Sequence, residues 1–486
     1  MNRNRRLRNG WGLAATCTVL CAVFCLLWYH SAFLPRWIHW KSGTFSDRTG
    51  KYDVFFNGKS VCVTYDSSII WNSPDGVKVQ DALTCDIDND REDELVLLCW
   101  KKGRYGPQKP FWADRDERTW SQHIFIYEYE QEKIRPKWMS SYIGQDVAEM
   151  TVNVGKASLN RLFLTDPGGK INCWVWDSWG FRKEDTDVSF AVFGDNLIHE
   201  PIYQYGLRHD PSFGFLFGNL KDIISQSDIS VINQETPLTE QPSMYSGYPR
   251  FGTPAGVGQA IVNAGFDIVT CATNHALDKG ADGVSYTKDF FTSRHVTCLG
   301  IQTAGEQDYR PYEIIDKNGI RFALLNYTYG TNGIRIPAGS PNLVHLLEDE
   351  EKIQNDIRQA KADSDCVILF VHWGTENERK PDEFQIKWTQ VFLESEADVV
   401  IGTHPHTLQP YEVLQSSTGH EMLIYYSIGN YISAQQEKEC VKGGMAVFTV
   451  SLTSDGYTVT DYGLQPLRIT SHGGGRYTAE LYDADS

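Results

Sequence analysis

The sequence predicts an α/β (α+β) layered domain, preceded by a β-rich domain and an apolar N-terminal segment. Three observations predict this. From about residue 186, apolar β-branched runs alternate with helical patterns. Residues 51–185 hold only short apolar runs broken by turn signals. Residues 11–29 carry no charge and follow a basic leader.

The leader MNRNRRLRN contains Arg3, Arg5, Arg6 and Arg8. The 19 residues Trp11 to Tyr29 that follow would span roughly 30 Å as a helix, about one bilayer core. Residues 1–35 are therefore expected to be a cytoplasmic basic tail and a transmembrane signal anchor, because the arginines lie upstream of the span. The expected location is the cell membrane, single-pass, with the main body extracytoplasmic. A cleaved signal peptide is the rival, though no small-x-small site follows the apolar run. Residues 36–50, rich in Ser, Gly and Thr, look like a short stalk. Over the 486 residues the formal net charge is −17. An acidic body argues against nucleic acid as a partner, and an anionic polymer would need a local cationic site. Eight of the 11 cysteines lie outside the apolar segment, with no CxxC or Cys/His metal spacing, and read as small buried hydrophobes.

The 51–185 domain contains SVCVTYDSSIIW, DELVLLCW, HIFIYEYE, NRLFLTD and INCWVWDSWGF. Strands at this spacing suggest stacked sheets, a sandwich or propeller-like blades. Within it, CDIDNDREDEL places Asp86, Asp88, Asp90 and Glu94 at loop positions 1, 3, 5 and 9, where alternate carboxylates can converge on one hard cation. The loop is not an EF-hand: its sixth residue is Arg91 and its twelfth Leu97. It resembles the calcium loops of FG-GAP and VCBS repeats, which implies calcium. A solvated acidic turn is the alternative.

In the 186–470 domain, the runs DVSFAVFGD, DISVINQE, FDIVTCATNH, CVILFVHWG and ADVVIGTHPH are buried-strand patterns. Each leads straight into residues suited to metal ligation. These are Asp195; Asn233 and Glu235; Asn274 and His275; His372; and His404 with His406. In open α/β sheets, ligands bind beyond the carboxyl ends of strands, so five such endings predict a constellation at one sheet edge. Mixed oxygen and imidazole donors suit one or two divalent transition ions such as Mn, Fe or Zn. A carboxylate bridging two ions could activate water near neutral pH and clamp a tetrahedral transition state. Taken singly, each residue has a plainer reading: HPH as a turn, Asn274-His275 as a helix cap, Glu235 as part of a turn before Thr-Pro.

The segments FGDNLIHE, DISVINQETPLT, TCATNHALDKGADGVSYT, VHWGTENERKPDEFQ, ADVVIGTHPHTLQ and YYSIGNY occur in this order across residues 187–435. Together they resemble the successive motifs of the CapA (poly-γ-glutamate capsule biosynthesis) family, which implies a calcineurin-like metallophosphatase fold. The resemblance implies Asp195, Glu235, Asn274, His372, His404 and His406 as metal ligands. It also implies His275 as a histidine acting on a leaving group or transition-state oxygen, with Asp278 orienting it. Where general metallophosphatases carry Asp-x-His, Asp195 is followed by Asn196 and Leu197, so His199 is the candidate to reach in. His199 and Asn233 are the expected substrate-binding residues. Two functions stay open: a metal-dependent hydrolase or transferase in polymer biosynthesis, with a nucleotidase-like enzyme as a variant, or a non-catalytic metal-containing subunit beside polymer synthase or export proteins that binds an anionic polymer.

Overall fold

The chain divides after Asp185 into two units. The computed structural model describes residues 34–105, 116, 119–153, 160–453 and 455–482. The apolar segment expected to anchor the chain lies outside these residues. Among the described residues, no helix is long and apolar enough to cross a membrane.

Among the described residues, the first unit forms three successive four-stranded antiparallel meanders. They comprise Thr44–Ser46 through Ser68–Asn72, Lys78–Cys85 through Lys133–Met139, and Glu149–Asn153 through Gly180–Glu184. The first strand falls within the expected stalk, and Ile38 and Asp47 are buried there. Residues 36–50 therefore belong in part to the folded unit. The middle strand Glu94–Lys102 shows why its run is apolar throughout. Successive side chains on a strand point to opposite faces. Leu95, Leu97 and Cys99 enter one core with Val54, Val61 and Val63, while Val96 and Leu98 enter another with Met150, Leu162 and Leu164.

The second unit holds two large mixed sheets. In the eight-stranded one, Thr297–Leu299, Ile268–Thr270, Ile229–Asn233 and Asp187–Asn196 run parallel, and Lys442–Thr453 pairs antiparallel to the last of them. The six-stranded one has Ile320–Thr328, Cys366–His372, Val399–Thr403 and Glu421–Tyr425 parallel, with an antiparallel strand at each edge. The five ligand-bearing runs are thus divided between two sheets, whereas the sequence predicted one. Alternation explains the layering. Ala191 and Phe193 face helices Ala255–Ala264 and Gly280–Thr292, while Phe190, on the other face, meets Phe322 of the second sheet edge-on at 5.2 Å. Ala323 and Leu325, on the opposite face of the same strand from Phe322, pack with helices Glu350–Asp363 and Glu383–Glu394. Each sheet therefore carries helices on its outer face, and the carboxyl ends of both sets of parallel strands converge on one polar site.

Candidate metal centre

Two glycines let these strand ends come together. A Cβ on Gly194 would lie 1.9 Å from the Gly429 carbonyl oxygen, and one on Gly402 2.0 Å from that of Tyr426. Asp195 and the His404–His406 turn can therefore pack against the Ser427–Asn430 segment. His404 and His406 themselves take left-handed backbone angles, φ 97° and 61°. That conformation is uncommon for non-glycine residues and marks a constrained turn.

Glu235 is at the centre. It is 1% exposed, and neither carboxylate oxygen has a hydrogen-bond partner. Its Oε1 stands 3.7 Å from His372 Nε2 and 3.8 Å from His406 Nε2. Ligand atoms of Glu235, His404 and His406 all lie within 4.8 Å of one another. His404 Nδ1 is likewise buried without a partner. Asn274 Oδ1 lies 3.0 Å from His372 Nε2. His372 is turned this way by Thr403, whose hydroxyl is 3.0 Å from its Nδ1.

Asp195 sits behind this group. Its Oδ1 accepts from Asn233 Nδ2 at 2.7 Å, and its Oδ2 accepts from the His404 backbone N–H at 3.2 Å and from His406 Nδ1 at 3.1 Å. Asp195 thus holds His406 by one nitrogen and leaves Nε2 facing Glu235, as carboxylates behind metal-bound histidines do. Asn233, expected at the substrate, is 2% exposed and fixed between Asp195 and the Thr270 hydroxyl, which donates to its Oδ1 at 2.8 Å. His199 does not join the ligand group. Its Nδ1 accepts from the Ala434 N–H at 3.3 Å, and its ring packs on Phe251.

Burial pushes the Glu235 carboxyl well above its usual range. Burial, then neighbouring imidazoles, holds His372 and His404 well below theirs. Burial also opposes charge on His406, but Glu235 and Asp195 outweigh it and lift that group to about 9. A buried carboxylate with two orphaned oxygens is costly unless a cation meets it. Neutral imidazoles and a carboxylate form the donor set a divalent ion takes. The residues present therefore fit a divalent metal.

Beside the cluster, His275 Nδ1 is 2.7 Å from Asp278 Oδ2, which also accepts the Phe251 N–H at 2.7 Å. The Phe251 ring meets the His275 ring edge-on at 4.7 Å. With Nδ1 engaged, Nε2 is left as the working nitrogen. Sequence reasoning missed several residues that complete the site. Asn430 Oδ1 lies 3.0 Å from His406 Nδ1, and the Tyr329 ring lies 4.7 Å from that of His404. Asn332 reaches both Asn274 (3.4 Å) and His275 (3.5 Å). Only Asn430 had a signal, its place in YYSIGNY.

Residues 189–435 match the family described as bacterial capsule synthesis protein PGA_cap. The chain is 25% identical over 263 residues to the capsule biosynthesis protein CapA of Bacillus anthracis, covering 52% of this chain and 62% of that one. It is 26% identical over 254 residues to the PGA biosynthesis protein CapA of Bacillus subtilis (strain 168), covering 52% and 64%. The chain thus spans less than two thirds of the length of these relatives. Solved structures similar to it include a phosphatase from Mycoplasma pneumoniae, with 13% identity, 58% of this chain and 94% of that one covered, and a TM-score of 0.36. Another is the NAD nucleotidase of Haemophilus influenzae, with 12% identity, coverage of 62% and 60%, and a TM-score of 0.38. With a family match across half its length, this chain belongs to the bacterial capsule synthesis protein family.

Proposed function

We propose that the second unit is a metal-dependent hydrolase or transferase of metallophosphatase type, acting in the synthesis, export or attachment of a capsule polymer of the poly-γ-glutamate kind. The observation that carries this reading is Glu235, a buried carboxylate with both oxygens unpartnered, facing His372, His404 and His406. Glu235, His372, His404 and His406 would hold the ion with the Asn274 carbonyl, and Asp195 would orient His406. A divalent ion bound there supplies Lewis acidity and lowers the pKa of water. The Glu235 carboxylate supplies the negative charge that retains it, with the imidazoles as neutral donors.

His275 is the group placed to work on substrate. Asp278 fixes its tautomer, so Nε2 can give or take a proton at a reacting oxygen. Phe251 packs on its ring and holds that nitrogen in place. Asp195 accepts hydrogen bonds on both oxygens, and in this reading it orients His406. The expected setting is the outer face of the cell membrane, with the chain held there by residues 11–29 and with polymer synthase or export subunits as neighbours.

Turnover on a model phosphodiester, bis-p-nitrophenyl phosphate, tests this together with metal content. The wild-type chain should bind metal and turn over. His275→Ala should keep the metal and lose turnover. If His275→Ala leaves both turnover and polymer output in cells unchanged, the site is a binding module and not a catalytic one.

A further inference from the structure

The first unit holds a second cluster with its own chemistry, on the loop joining the strands Lys78–Cys85 and Glu94–Lys102. Oxygens of Asp86, Asp88 and Asp90 lie within 4.8 Å of one another. Asp86 is 8% exposed and Glu94 1%. Asp86 Oδ1 and Asp88 Oδ1 are buried without any partner, while the other oxygens are engaged. Asp86 Oδ2 accepts the Arg91 N–H at 3.0 Å, and Glu94 Oε2 accepts the Ile87 N–H at 2.9 Å.

The loop conformation is locked on both sides. Ile87, fully buried, anchors it in the core shared with the next meander, and Asn160 Nδ2 donates to the Asp86 carbonyl. Asn89 and Arg91 take left-handed backbone angles, φ 64° and 81°, and Arg91 is exposed. Arg91, the sixth residue of the loop, thus itself adopts the left-handed conformation that glycine takes most readily.

One side chain already answers the negative charge. Lys137, on the strand Lys133–Met139, places Nζ 2.6 Å from Asp88 Oδ2 and 2.6 Å from Glu94 Oε1, with Asp90 Oδ2 at 3.7 Å. Arg48 stands 3.9 Å from Asp86 but is directed mainly at Asp93. The ammonium reaches three of the four loop carboxylates, and Glu128 outside the loop at 3.9 Å, and leaves the orphaned oxygens of Asp86 and Asp88 unsatisfied. All the side-chain donors are oxygens, with no imidazole or thiolate, which selects a hard cation. Flexible carboxylate coordination suits calcium better than magnesium, which demands near-ideal octahedral geometry.

We propose that this loop is a calcium site in which Lys137 is a tethered competitor: Ca²⁺ binds to Asp86, Asp88, Asp90 and Glu94 and displaces the ammonium, and Lys137 returns when calcium leaves. Lys137 thereby keeps the loop ordered without metal and lowers its calcium affinity.

The test uses the full chain, stripped with chelator and titrated with calcium alone. Equilibrium dialysis should find one calcium that Glu235→Gln retains and that the double variant Asp86→Asn/Asp88→Asn loses. Lys137→Gln should bind calcium at least tenfold more tightly. It should melt below wild type in chelator and match or exceed it in saturating calcium. Calcium stoichiometry unchanged by Asp86→Asn/Asp88→Asn would overturn the proposal. If that double variant does not fold, Lys137→Gln decides alone. A melting deficit of equal size with and without calcium would show that Lys137 is a structural counter-ion and no calcium enters.

Discussion

Replacing Glu235 with glutamine should remove most of the metal-linked stability of the second unit while leaving its fold intact. The carboxylate is buried, has no hydrogen bond to lose, and is nearly isosteric with the amide. An ion at about 1,000 times its dissociation constant stabilises the folded state by about 4 kcal/mol. The second unit runs over Thr186–Leu452 and Gly456–Ser486, about 300 residues. Unfolding entropy of about 2.1 cal/mol/K per residue makes this a rise of about 6–7 °C in Tm. Glutamine offers no charge, and losing a charged ligand should cost more than the 10–100-fold typical of groups behind the ligands. At a loss of about 100-fold, the same ion concentration gives about 1.4 kcal/mol, or about 2 °C; at about 1,000-fold the shift is below about 1 °C. Differential scanning calorimetry of both chains, in chelator and in manganese or zinc, reads this directly. If Glu235→Gln keeps the full metal-dependent rise, the carboxylate is not a ligand and the reasoning from its orphaned oxygens fails.

Four further outcomes are expected. His275→Ala should retain metal and lower phosphodiester turnover by about 100-fold, near 3 kcal/mol, as measured by steady-state kinetics; loss of metal instead would make it a ligand. Gly194→Ala should destabilise the second unit by about 3 kcal/mol or more in denaturant titration, because its Cβ would lie 1.9 Å from the Gly429 oxygen. Stability should fall as pH drops below about 6.5, because burial, assisted by Lys352 and Lys288, holds His345 down to about 3. The folded state then binds fewer protons than the unfolded chain, so at pH 5 the loss is about 2 kcal/mol, and His345→Gln should flatten that slope. Mass analysis of the mature N-terminus should find residues 11–29 retained; a start beyond residue 30 would show cleavage.

Much of the candidate site is legible in the sequence, because parallel strands buried on both faces read as unbroken apolar runs and each here stops at a polar ligand. What the runs do not carry is the sheet to which each belongs. DISVIN and CVILFVH both read as buried, β-branched runs ending in a polar residue, yet one lies in the eight-stranded sheet and the other in the six-stranded one. Nor does position in a motif tell which oxygens are already engaged. Asp195 and Asn233 both end strands, and it is tertiary hydrogen bonds, invisible in the sequence, that tie their polar atoms to His406 and to each other. Tyr329 and Asn332 come from segments with no distinguishing pattern, and the place of Thr403 in ADVVIGTHPH does not reveal that its hydroxyl meets His372. Lys137 answers Glu94 across 43 residues of chain, a separation at which sequence spacing says nothing. The helix Glu200–His209 was hidden by Pro201 and Gly206, which break the apolar period, although Ile202 and Tyr203 are buried.

The most direct test is anomalous diffraction from crystals of the chain grown with manganese or zinc, recorded on either side of the metal edge. The expected result is one strong anomalous peak bounded by Glu235, His372, His404 and His406, with Asp195 contacting His406 and not the ion. Crystals with the metal in excess and no anomalous density among these four side chains would contradict a metal centre here.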